Sequence, residues 1–119
     1  MPQLVVYCRR GTIRETTKQN KLLNEMSQVV ADTLGFETNQ VGGLWIVPSV
    51  IADEVQLHVN VEFSASIWNF WKYLKWVSLV QEKLTEYLQG SNLVPENTMV
   101  GVWVRPKWEA SFNAFIKMW

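Results

Sequence analysis

The chain has 119 residues, of which 48% are hydrophobic and 18% are charged, a composition typical of one compact domain. Its 11 basic and 11 acidic side chains cancel, so it lacks the basic excess of nucleic-acid-binding proteins and the net charge that would draw it to an anionic membrane. The single cysteine excludes an intramolecular disulfide and a thiolate zinc site, and no apolar run approaches the roughly 20 residues that span a bilayer. We therefore expect one domain over residues 1–119, cytoplasmic, with no nucleic acid, membrane, metal or cofactor.

The first half of the chain predicts a strand followed by a helix. Residues 3–9 read as a strand that is apolar on both faces, which is typical of burial on both sides. Thr16 and Gln19 have the spacing of a capping box. Apolar residues then recur at helical spacing, which predicts a helix over residues 17–34 with Gly35 as its C-terminal cap.

Two further strands are predicted in the middle of the chain. The first is short, covers residues 44–47 and ends at Pro48. The second follows from the alternation of apolar and polar residues over 55–62, which is the clearest period-two pattern in the sequence.

A second helix is indicated by a long apolar stripe that ends at Gly90, with Ser64 or Ser66 as its N-terminal cap. The stripe consists of Ile67, Phe70, Trp71, Leu74, Val77, Leu84 and Leu88. Residues 98–105 read as a fourth strand closed by Pro106. The apolar tail beyond it, residues 108–119, is expected to pack on the sheet edge or on a neighbouring subunit.

The element order is β-α-β, repeated once. Each crossover makes a pair of parallel strands, so two units side by side give an α/β fold with a four-stranded mixed sheet and two helices on one face. A ferredoxin-like sheet, which pairs its strands differently, is the alternative. The other face of the sheet would lack a cover, which implies oligomerisation.

Seven tryptophans are many for a chain of this length. Aromatic side chains are enriched at subunit interfaces and also fill cores, and the sequence leaves both interpretations open. The sole histidine, His58, lies on the polar side of the third strand, where a structural role is expected.

Pro2 is the residue with the most distinctive chemistry, because it follows Met1 directly and heads the first strand. Methionine is commonly removed before a small residue, and removal here would leave a secondary amine. The α-amino groups of proteins titrate at about 7.7–8.0, and burial lowers the pKa because desolvation disfavours the cation. A buried, neutral amine is a general base.

Taken together, the repeated β-α-β unit, the chain length and the position of Pro2 resemble the tautomerase superfamily, in particular 5-carboxymethyl-2-hydroxymuconate isomerase and macrophage migration inhibitory factor. The resemblance spans nearly the whole chain as architecture, and Pro2 is its specific motif. The matching stretches are Met1-Pro2-Gln3-Leu4-Val5-Val6, Leu34-Gly35, Trp45-Ile46-Val47-Pro48, Leu57-His58-Val59-Asn60, and Val94-Pro95-Glu96 through Phe112.

This resemblance implies a homotrimer in which three sheets surround a central barrel. It also implies a pocket at each subunit interface, with the terminal proline at its base as catalytic residue. The proline would shuttle a proton within a small unsaturated or enolic keto acid. The chain departs from the family where a cation normally holds the carboxylate: the isomerases' arginine falls on Gly42-Gly43-Leu44, and the inhibitory factor's lysine falls on Phe36.

Other cations would have to bind the substrate carboxylate. Arg9 and Arg10 lie roughly 20 Å along a strand from Pro2, at about 3.3 Å per residue, so a neighbouring subunit would have to supply them. Arg105 is a third candidate. For each arginine, a solvated surface charge or an interface ion pair is the alternative.

The predicted pocket lining is aromatic and consists of Phe36, Phe63, Trp103 and Phe112. The sequence thus predicts a keto-enol tautomerase that uses the Pro2 amine. The alternative is a non-catalytic trimer of the same fold that binds proteins or apolar ligands.

Overall fold

The computed structural model describes residues 2–48, 55–65 and 69–107. Within these ranges the order of strands and helices is the predicted β-α-β repeated once. The elements are β1 (Gln3–Cys8), α1 (Thr16–Leu34), β2 (Gly42–Ile46), β3 (Leu57–Ser64), α2 (Phe70–Gly90) and β4 (Val100–Lys107), with a short 3-10 helix (Thr38–Gln40) before β2.

The four strands form one mixed sheet in the order β2-β1-β3-β4. β1 pairs with β2 in parallel, β3 pairs with β4 in parallel, and β1 pairs with β3 in antiparallel orientation. The predicted fold class is confirmed. The ferredoxin-like alternative is wrong, because each unit keeps its own two strands side by side rather than separated by another strand.

One face of the sheet carries the core. Leu22, Met26 and Val30 of α1 are fully buried, and so are Val80 and Leu84 of α2. Both helices pack on this face, and burying each such side chain contributes about 1.5–3 kcal/mol. On the sheet side, the fully or almost fully buried residues are Leu4, Val6, Cys8, Leu57, Val59, Val61 and Phe63.

The expectation that β1 is buried on both sides is wrong for the protomer. Leu4, Val6 and Cys8 are buried under the helices, whereas Gln3 and Tyr7 are exposed on the opposite face. The helices cover a single face because each crossover returns on the same side of the sheet. The uncovered face that the repeat predicts is therefore present.

The two ends of α1 differ in how well the sequence predicts them. The N-terminal cap is Glu15, without a side-chain capping bond, and the Gln19 amide donates instead to the carbonyl of Ile13 at 2.7 Å. The capping box from Thr16 is therefore wrong. Gly35 ends the helix as predicted, with a φ of 77° that a residue with a Cβ rarely adopts.

The orientation of α2 differs from the predicted stripe. Val80, Leu84 and Leu88 are buried, but Trp71 is 80% exposed. Trp76, which is not part of the predicted stripe, packs against the core. The helix is apolar around much of its circumference, so periodicity alone does not identify the core-facing side.

The start of α2 also differs from its prediction. Ser64 belongs to β3, and the N-terminal cap of the helix is Asn69. Ser66, Ile67 and Trp68 lie outside the described residues.

β4 is an edge strand, which explains how it continues through Pro106 to Lys107 instead of ending before the proline. Proline lacks the N–H that a ladder bond needs, and an edge strand tolerates this loss. Neither helix that the structure describes combines the length and apolar content needed to cross a membrane.

A half-buried polar contact joins the two helices. The Tyr87 hydroxyl donates a hydrogen bond to the Glu25 carboxylate. Burial, together with this bond, raises the pKa of Tyr87 to about 12. Burial also raises the pKa of the Cys8 thiol, so this cysteine is a core residue rather than a reactive thiolate.

Candidate functional site

Pro2 lies at the head of β1 with its side chain fully buried. Its carbonyl accepts a hydrogen bond from the backbone N–H of Gly42 at 3.0 Å, which fixes it against β2. Gln3 pairs with Glu62 on the other side, so the next step of the antiparallel register places Pro2 opposite Phe63. Residues directly opposite share one face of the sheet, and here that face is the one under the helices.

The connectivity brings the ends of both helices to Pro2. Each helix returns antiparallel to the strand before it, because it must reach the start of a parallel neighbour. The C-terminal end of α1 and the N-terminal end of α2 therefore lie at the same end of the sheet, where β1 starts and β3 ends. Phe36 follows the end of α1, and Tyr73 and Trp76 lie in the first two turns of α2.

These side chains form an aromatic cluster of Phe36, Phe63, Tyr73 and Trp76. The indole of Trp76 is at its centre, with ring centroids 5.6 Å from Phe63, 6.2 Å from Phe36 and 5.1 Å from Tyr73. All three contacts are edge-to-face, the arrangement that aromatic quadrupoles prefer. The cluster therefore places aromatic side chains around Phe63, at the end of the sheet where β1 begins.

Lys72 contributes a positive charge at the rim of the cluster. Its Nζ lies 5.0 Å from the centroid of the Trp76 ring and 5.7 Å from that of Tyr73. The sequence did not predict this contact, because the predicted stripe assigned its neighbours Phe70, Trp71 and Leu74 to the core. The available signal was the four-residue spacing of Lys72 and Trp76, which places the two side chains next to each other on a helix.

Among the predicted site residues, Phe36 and Phe63 lie together at the buried end of β1. Arg9 and Arg10 follow β1 at its other end, where the Arg9 N–H donates to the carbonyl of Gln56 at 2.8 Å. Within one protomer the length of the strand separates both arginines from Pro2. Phe112 lies outside the described residues.

Trp103 and Arg105 lie on the uncovered face of the sheet, opposite the helices. They border a cavity of about 290 Å³ that is also lined by Tyr7 and Asn60. Because the sheet lies between this cavity and the buried side chain of Pro2, neither residue reaches the proline of its own protomer.

The ring of Trp103 lies over Gly101 on the uncovered face. A Cβ at Gly101 would lie only 2.3 Å from a ring atom of Trp103, so the indole occupies the space that a side chain would take. The indole stacks on His58 with centroids 5.0 Å apart and planes 13° from parallel. His58 thus packs against Trp103 on the uncovered face.

A larger cavity, of about 720 Å³, lies at the opposite end of the sheet from Pro2. It is bounded by the C-terminal end of α2, the loop after it and the start of β4. Among the described residues that line it, Glu96 is the one ionisable side chain, and the others offer amides, hydroxyls and apolar groups.

Metal chemistry has no visible support in the described ranges. No three His, Cys, Asp or Glu side chains come together there in a group that could hold a metal ion.

No protein-family model matches the chain, and no curated protein is similar to it at a significant level. Solved structures are similar in fold. A protein of unknown function from Vibrio cholerae superposes with a TM-score of 0.54 at 14% identity, covering 92% of this chain and 80% of that one. Pt0534 inactivated by 2-oxo-3-pentynoate gives 0.52 at 17% identity, covering 88% and 87%. A symmetric trimer of wild-type fused 4-OT gives 0.51 at 15% identity, covering 90% and 86%.

Proposed function

Given that the chain has the tautomerase-superfamily fold, we propose that it is a keto-enol tautomerase whose base is the amine of Pro2, freed by removal of Met1. The substrate is a small unsaturated or enolic keto acid. The observation that carries the proposal is the position of Pro2, which is fully buried at the head of β1 and lies opposite Phe63 of the aromatic cluster.

The proposed reaction is a proton transfer within the substrate. The neutral amine takes the proton from the enol hydroxyl as the C=O bond forms, and the resulting ammonium returns a proton to the adjacent carbon. The amine ends the cycle unchanged, so neither metal nor redox cofactor takes part. General acid-base catalysis of this kind contributes about 10²–10⁴-fold.

Phe36 and Phe63 are the proposed lining of the pocket from the protomer that supplies Pro2. Four further residues enter the proposal only as groups from a neighbouring subunit. The sheet separates Trp103 and Arg105 from Pro2 of their own protomer, and the length of β1 separates Arg9 and Arg10 from it. Phe112 is proposed as a further lining residue on its sequence alone.

A homotrimer is part of the proposal. Its support is the uncovered face of the sheet, together with the symmetric trimer formed by the structurally similar fused 4-OT. Cytoplasmic location stays a prediction from the sequence.

The assembly is tested by a charge placed on the uncovered side of the sheet. Leu44 of β2 is 53% exposed in the protomer, so Leu44→Glu should dissociate the trimer, because an interface cannot bury an unpaired carboxylate without cost. Leu79→Glu, on the outer side of α2, is the matched control and should leave the trimer intact. Sedimentation equilibrium at micromolar protein that shows a wild-type monomer contradicts the assembly.

A non-catalytic binding module is the second candidate function. The observation that favours it is the exposed apolar surface at the start of α2, where Phe70 and Trp71 contact each other at a centroid distance of 5.4 Å and remain exposed. Exposed apolar patches commonly mark sites of interaction.

Enol ketonisation separates the two candidates. Phenylenolpyruvate loses its enol absorbance as it becomes the ketone, and the processed protein should accelerate this decay while an N-terminally extended protein should not. Equal rates for the two proteins, or no acceleration across aromatic and alkyl enol-pyruvates, would favour the binding module.

A further inference from the structure

The start of α2 carries three exposed apolar side chains that form one patch, the α2 patch. Phe70, Trp71 and Leu74 are 44%, 80% and 38% exposed, and the rings of Phe70 and Trp71 contact each other with centroids 5.4 Å apart. Leu74 adjoins both rings, because residues three and four apart are neighbours on a helix. Contiguous exposed apolar side chains mark a surface that another segment or molecule covers.

The α2 patch lies where the chain leaves β4. The side-chain amide of Gln81 donates to the carbonyl of Val102 at 3.5 Å, so this side of α2 faces β4. Phe70 lies about three turns before Gln81, on the same side of the helix and about 16.5 Å away along it. Lys107 follows Val102 by about 16.5 Å of strand. Because α2 and β4 run in opposite directions, Phe70 and Lys107 lie at the same level.

A hydrogen bond holds the end of β4 beside the start of α2. The backbone N–H of Ala65 donates to the carbonyl of Lys107 at 2.9 Å. Ala65 follows β3 and precedes α2 in the chain, so Lys107 lies beside the connection that leads into the α2 patch. A segment that continues from Lys107 therefore begins next to the patch and reaches it without crossing the sheet.

The segment that continues from Lys107 is the tail, residues 108–119, which lies outside the described residues but has an informative sequence. Its large apolar residues are Trp108, Phe112, Phe115, Ile116 and Trp119. Their spacing places them on one side of a helix, whereas Ala110, Ala114 and Lys117 fall on the opposite side. A helix over residues 108–119 would extend about 18 Å, which is enough to run along α2 from Phe70 to Gln81.

We propose that the tail packs as a helix on the α2 patch of its own protomer. The tail supplies a matching apolar side, and its first residue follows directly from Lys107, beside the patch. The inference goes beyond the proposed function and does not depend on catalysis by Pro2. It gives the patch an occupant from within the chain, whereas the binding-module candidate assigns this surface to another molecule.

Maleimide labelling of an introduced cysteine tests the packing in the full chain. Leu74→Cys places a thiol in the patch, and Leu79→Cys is the matched control, because both leucines are 38% exposed and Leu79 lies on another side of α2. Leu74→Cys should react about tenfold more slowly, a protection that corresponds to about 1.4 kcal/mol of packing free energy. Cys8 is 1% exposed, so it stays unreactive while the core is folded and reports any unfolding.

Two substitutions in the tail identify the side that packs. Phe115→Asp, added to the Leu74→Cys chain, should raise the labelling rate to that of the Leu79→Cys control, because burying an unpaired carboxylate on the patch is costly. Ala110→Asp adds the same charge on the opposite side of the helical pattern and should leave the protection unchanged. Equal labelling of the two cysteines without a tail substitution overturns the proposal and leaves the patch to another molecule. Equal loss of protection in both tail variants overturns it as well.

Labelling of monomeric protein shows which protomer supplies the tail. The monomer is obtained with Leu44→Glu or by dilution and is checked by sedimentation. Protection of Leu74→Cys should persist in it, because the tail and the patch belong to the same protomer. Loss of protection in the monomer would assign the tail to a neighbouring subunit and overturn the proposal. Ketonisation is not measured, so this result stands apart from the outcome for the proposed function.

Discussion

A protein with residues fused ahead of Pro2 should ketonise enol-pyruvates about 10²–10⁴-fold more slowly than the processed protein. The fusion turns the secondary amine into an amide, whose nitrogen lone pair is delocalised into the carbonyl and no longer basic. Pro2→Ala should lose a similar or smaller factor, because a processed alanine still offers a terminal amine. The measurement is kcat/KM for phenylenolpyruvate on all three proteins.

The pH dependence of the same rate constant provides a further check. The amine acts as a base only when it is neutral, so kcat/KM should rise with pH through the pKa of Pro2 and then level off. Because burial disfavours the cation, this midpoint should fall below the roughly 7.7–8.0 of an ordinary α-amino group. A fused protein as active as the processed one removes Pro2 from the chemistry.

Phe63→Ala should destabilise the protein by about 3–5 kcal/mol, the range for removing a buried aromatic ring. Phe63 is 2% exposed and contacts both Tyr73 and Trp76, so its removal leaves a cavity under the aromatic cluster. Phe70→Ala is the matched control, since Phe70 is 44% exposed and such surface changes usually stay within about 0.5 kcal/mol.

Denaturant midpoints at one fixed protomer concentration measure both variants, because the stability of an assembly depends on concentration. Similar midpoints for the two variants would show that Phe63 and the cluster do not carry the stability of this end of the sheet.

The fold was largely predictable because its signals are local and repeated. The alternation of apolar and polar residues over β3 reflects a strand that is buried on one face. The glycine after α1 reflects the left-handed backbone that ends this helix at Gly35. The orientation of α2 was not predictable, since Trp71 and Trp76 are equally apolar and only packing against β3 decides that Trp76 faces inwards.

The residues of the candidate site stay a prediction. Phe36 and Phe63 lie at the same end of the sheet as Pro2, because chain connectivity brings the end of α1 and the end of β3 there. Trp103 was assigned to the pocket, but it lies on the uncovered face of its own sheet. Which face a β4 residue lies on follows from the β3–β4 register, and this register pairs Trp103 with Asn60.

The intact mass of the protein isolated from its native source tests the central claim most directly, because it shows whether Pro2 is an amine. We expect a mass short of the full 119-residue chain by one methionine. A mass that includes Met1 would make the nitrogen of Pro2 an amide in the native protein and would contradict catalysis by this residue.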